Sequence, residues 1–62
     1  MNADDRTLIA NAARDLHQHF CERALCHRAQ QDTIGMQHEI EMALRVALAV
    51  EVTCGLDLEA NA

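Results

Sequence analysis

The sequence predicts an all-α protein: a helical hairpin of two antiparallel helices, at about residues 5–31 and 34–53, pairing with a second copy into a homodimeric four-helix bundle. Three observations lead there. The 62 residues include no Pro and only 2 Gly, and Ala, Leu, Glu, Gln, Arg and Met, the strongest helix formers, dominate. Apolar residues recur at helical spacing on both sides of one polar break. That break, Gln30 to Gly35, is the best candidate turn in the chain.

The elements follow in order. Asn2, Asp4 or Asp5 is placed to cap the first helix, because a short polar side chain accepts bonds from the free N–H groups and an acid suits the positive end of the dipole. From Arg6 to Gln31, steps of one residue per helical increment bring Leu8, Ile9, Ala12, Ala13, Leu16, Phe20, Ala24 and His27 into one sector. Alanines near its start let a neighbouring helix approach closely. Asp32 or Thr33 is the expected cap of the second helix, which starts beside Gly35. Its first half is amphipathic, with Met36, Ile40, Ala43 and Ala47 on one face and His38, Glu41 and Arg45 on the other. Its second half spreads Leu44, Val46, Leu48, Val50 and Val52 around nearly the whole circumference. Gly55 suits the helix stop, with Leu56 closing back on Val50.

A strand competes at the end of the chain. Val46, Leu48, Val50, Val52 and Cys54 alternate with Ala47, Ala49, Glu51 and Thr53, the period of an extended segment. The two alanines favour the helix. The chain is read as one small domain over residues 1–62, with residues 1–4 and 57–62 frayed.

A lone two-helix hairpin leaves one side of each helix in water, and a segment that is apolar all round must be covered all round. A second copy meets both needs, and Leu44, Val46, Leu48, Val50 and Val52 are the expected oligomer interface. In architecture, with no shared motif, the plan resembles that of the small plasmid-encoded Rop-type hairpin dimers.

Composition narrows the function. A chain this short sits near the lower limit for independent folding and has little room for an enclosed pocket, so neither an enzyme nor a small-molecule substrate is expected. No cofactor is expected. No apolar run is long enough to span a bilayer, and the N-terminus lacks the basic start and apolar stretch of a signal peptide. Three cysteines, an odd number, point to free thiols in a reducing cytoplasm. Arg as the only strong cation, together with 11 alanines, hints at a high-GC bacterial or phage genome. A net charge of -5 disfavours non-specific nucleic-acid binding, which needs clustered cations.

The charges are unevenly shared. From Arg6 to Gln31, Arg6, Arg14, Arg23 and Arg28 face only Asp15 and Glu22; elsewhere the acids dominate and Arg45 is the sole Arg. Arg6, Arg14, His17, Cys21 and Arg28 form one stripe on the first helix. Arg6, Arg14, His17 and Arg28 are therefore the candidate partner-binding residues. Arg23 lies in the apolar sector, where a cation must snorkel, pair with an acid such as Glu41 or Glu51, or serve the interface. His17 and Cys21, four apart, could chelate one metal ion, with Cys26 as a further candidate donor; zinc needs four ligands, so no metal site is assigned. Histidines and cysteines scattered over a polar face are the commoner meaning of such a pattern, and no Cys/His catalytic pair is indicated. The expectation is a small non-enzymatic bacterial or phage regulatory or inhibitor protein that binds another protein. The alternatives are an RNA-binding hairpin dimer using the Arg stripe, or a metal- or redox-responsive protein using His17, Cys21 and Cys26.

Overall fold

A computed structural model describes residues 2–55 and shows two helices packed side by side, α1 (Ala3–Ala29) and α2 (Thr33–Cys54). The expected hairpin is present, in a rod of 43 × 16 × 16 Å. Residues 46–54 are helical, which settles the competition with a strand. The helix ends differ slightly from expectation. α1 begins at Ala3, so residues 3 and 4 belong to its first turn, and it stops at Ala29; α2 runs on to Cys54.

Local chemistry explains each end. Asn2 caps α1, its side-chain oxygen accepting from the Asp5 amide at 2.8 Å, with Asp4 and Asp5 in the first turn. His27 and Arg28 occupy the last turn, where positive charge suits the dipole. The reversal is tight: the Gln31 amide donates to the Arg28 carbonyl at 3.0 Å and the Asp32 amide to the His27 carbonyl at 2.8 Å. Gln31 adopts φ 60, the left-handed region, to turn the chain. Asp32, of the two expected caps, takes the role, accepting from the Gly35 amide at 2.9 Å. Gly35 sits inside the first turn of α2, where a Cβ would press on the Asp32 carboxylate and the His27 ring. α2 ends on Gly55 at φ 68, whose amide donates to the Glu51 carbonyl at 2.9 Å. The expected closure by Leu56 lies outside the described residues, as do residues 57–62.

The seam between the helices is built largely of alanine. Ala10, Ala13 and Ala24 of α1 and Ala43, Val50 and Cys54 of α2 are buried, with Ile9 and Val46 half-buried beside Ala13 and Val50. Small side chains allow the backbones to come close, so the larger apolar residues sit beside the seam or behind it. Among the described residues no side chain is fully buried, and Leu8, Leu16, Leu25, Ile34, Ile40, Leu44, Leu48 and Val52 are exposed. Leu8 and Leu16, expected on the packed sector, are therefore largely outside it. The segment read as apolar all round is divided: Val50 is 7% exposed, Leu48 60% and Val52 77%.

At the open end Arg6 ties the two helices together, its Nη2 donating to the Cys54 carbonyl at 2.7 Å. That carbonyl is one of those a helix C-terminus leaves without an internal partner.

Candidate functional site

The alanine seam divides the hairpin's surface into two flanks, each with an open apolar groove. On the first flank, α1 contributes His17, Cys21, Leu25 and Arg28, and α2 contributes Met36, Ile40 and Leu44, above Ala24 and Ala43. Nearer the open end, Arg6, Thr7 and Arg14 line a second, more polar recess. On the opposite flank, Ile9, Ala12 and Leu16 of α1 face Val46 and Ala49 of α2, above Ala13 and Val50. Helical periodicity sorts the residues this way: 14, 17, 21, 25 and 28 fall to one side of the buried Ala13 and Ala24, and 9, 12 and 16 to the other.

Of the stripe read from the sequence, His17, Cys21 and Arg28 line the first groove, and Arg6 and Arg14 line the more polar recess. The stripe's members differ in how free they are. Arg6 is engaged with the Cys54 carbonyl. Arg14 is exposed and reaches only its own helix, Nη1 donating to the Asn11 side-chain oxygen at 3.3 Å. Arg28 is exposed, and among the described residues neither it nor Arg14 forms an ion pair. His17 is half-buried on the groove wall, with its Nδ1 3.7 Å from the Cys21 sulfur.

Cys26, the third metal candidate, is not brought to that pair. It shares a recess with Arg23, His27 and Gln30. Among the described residues no three His, Cys, Asp or Glu side chains converge on one point. Cys21 and Cys26 are exposed free thiols, and Cys54 is a buried one.

The expected interface residues are dispersed in the same way. Leu44 lines the first groove, Val46 the groove on the opposite flank, and Val50 belongs to the seam within one chain. Leu48 and Val52 are exposed elsewhere on α2.

One polar cluster differs from expectation. Arg23 pairs neither with Glu41 nor with Glu51; its Nε donates to Glu39 Oε1 at 3.0 Å. Glu39 is buried, and the His27 Nε2 lies 3.5 Å from the same oxygen. The other ring nitrogen, Nδ1, is 3.1 Å from Asp32 Oδ2. Arg23, Glu39, His27 and Asp32 therefore link the closed end of the hairpin into one network, beginning at a buried carboxylate and ending at the α2 cap. The Arg23 hydrogen bond, helped by its charge and by His27, holds Glu39 below the usual carboxylate range, against the opposing effect of burial. Helix register decides the partner: the tight turn sets Arg23 level with Glu39, while Glu41 points away. A signal was present, because Glu39 follows Met36 by three residues and precedes Ala43 by four, which places it on the packed face.

Set against known proteins, the chain matches no family model, no curated protein and no solved structure.

Proposed function

We propose that this hairpin is a binding protein without catalytic activity, one that receives an acidic, amphipathic helical segment of another protein in the groove lined by His17 and Arg28, with Arg14 in the recess next to it. The observation that carries this is the coincidence of two features on one flank. The groove is lined by the apolar side chains of Leu25, Met36, Ile40 and Leu44, Arg28 stands on its α1 side with Arg14 in the neighbouring recess, and among the described residues neither cation forms an ion pair. A helix laid between two others buries an apolar stripe, and acids along its edge then meet the rim. Charge of opposite sign steers such an encounter and fixes its direction. Such a module fits a small bacterial or phage regulator or inhibitor, and its free thiols suit a reducing cytoplasm.

RNA is less favoured as the partner. An apolar groove floor offers nothing to phosphates, Arg6 is already engaged, and the net charge is -5. The metal- or redox-responsive alternative has less support too, since Cys26 stands apart from His17 and Cys21.

The test uses two synthetic amphipathic helical peptides of equal length, one patterned with Leu and Glu, the other with Leu and Lys, each titrated into the isotope-labelled protein. The expected result is that the acidic peptide alone shifts the methyl resonances of Leu25, Ile40 and Leu44, with affinity falling as salt rises. Arg14→Glu combined with Arg28→Glu should keep full helicity and lose this binding. Equal response to both peptides, or retention by the double variant, would overturn the proposal. Loss of helicity in that variant would do so as well, by showing the stripe to be structural. Preferential retention of an RNA hairpin, released steeply by salt, would move the assignment to nucleic acid.

A further inference from the structure

We infer that a second copy of this chain covers the opposite flank, over Ile9, Ala12, Leu16, Val46 and Ala49, so that the assembled dimer holds two identical basic-rimmed grooves facing outward. Among the described residues no side chain is fully buried, so the core of the hairpin is incomplete, and half of the exposed large apolar residues line the two grooves: Leu25, Ile40 and Leu44 in one and Leu16 in the other. Which flank a second copy takes is decided by charge. In a two-fold contact the same patch serves both chains, so like charges on it face one another. The flank carrying Arg14, His17 and Arg28 would bring cations together. The opposite groove has no charged residue in its lining.

Shape and size agree with that choice. Ala12 and Ala49 are small and exposed, one from each helix, and leave room for the backbones of a second hairpin to approach. Toward the closed end Arg23 and Glu39 neutralise each other. A stable contact buries about 800 Å² on each partner. The rod measures 43 × 16 Å in face, so a contact of that size takes up the whole of one flank and leaves the other uncovered.

The dimer itself does not depend on what fills the groove, whereas its two-site capture of an acidic helix rests on the function proposed above. The experiment is an equal mixture of isotope-labelled and unlabelled wild-type chains, examined by light scattering and by nuclear Overhauser effects filtered for contacts between chains. The expected mass is twice 6.9 kDa, with interchain effects at the methyls of Ile9, Leu16 and Val46. A monomeric mass at the concentration of the spectra overturns the inference. Interchain effects at Leu25, Ile40 and Leu44 also overturn it, since the second copy would then occupy the groove. If the acidic peptide fails to bind while the Ile9, Leu16 and Val46 contacts are present, the groove's occupant is wrong and the dimer stands.

Discussion

Val50 and Val52 lie two residues apart on α2, and the structure gives them opposite surroundings: 7% exposed in one case and 77% in the other. Replacing each in turn with alanine measures that difference. Val→Ala removes the equivalent of about two methylene groups, or about 1.6 kcal/mol of transfer free energy when the side chain is fully buried. Scaled by burial, the loss is about 1.5 kcal/mol at Val50 and about 0.4 kcal/mol at Val52. Alanine's greater helix propensity returns about 0.5 kcal/mol at both sites and cancels from their difference. At Val50 the space left beside Ala13 and Cys54 adds a cavity contribution. Val50→Ala should therefore cost at least about 1 kcal/mol, and Val52→Ala close to nothing.

For a domain of this size the Val50 change corresponds to a fall of about 4–8 °C in melting temperature per kcal/mol. Urea and thermal unfolding followed by circular dichroism, at matched chain concentration, provide the comparison. Equal losses at the two positions would refute the reasoning. They would mean that the outward side of α2 is covered as well as the seam, contrary to a second copy on the Ile9 and Val46 flank.

Two further outcomes follow from the same structure. Glu39 titrates below the ordinary carboxylate value, so its contribution to stability is present above that value and is lost as pH falls through the lower folded one. In melting curves taken from neutral to acidic pH, Glu39→Gln should be less stable than the wild type near neutrality, the two converging in acid; a gap that stays constant would show that the carboxylate charge is not what Arg23 uses. At the two left-handed positions, Gly55→Ala should cost about 1 kcal/mol, because φ 68 disfavours a Cβ, and Gln31→Gly should gain a comparable amount at φ 60; opposite signs in unfolding experiments would contradict the left-handed assignments.

Much of the local structure was legible in the sequence. The caps Asn2 and Asp32, the stop at Gly55 and the break at Gln30–Gly35 follow from backbone groups within a few residues of each side chain, so short-range chemistry is enough to find them. The stripe of Arg14, His17, Cys21 and Arg28 was likewise fixed by helical period, which needs no knowledge of a neighbour. The pairing of Arg23 with Glu39 was not legible in the same way. It depends on which turn of α2 lies level with Arg23, and that register is set by the geometry of Gln30 to Asp32 and by how closely the alanine seam lets the helices approach.

The sequence by itself determined that the chain is helical, where it reverses and which residues share a stripe, because these are properties of a single helix and its ends. Only the tertiary structure decided which apolar residues meet. Val46, Leu48, Val50 and Val52 are near equals in hydrophobicity, yet packing divides them among a groove wall, open surface and seam. Only packing, too, set the basic stripe beside Ile40 and Leu44 of the other helix and so made a groove of it. The physical reason is that side-chain periodicity is fixed along one helix, whereas the rotation and register of one helix against another come from side chains on both.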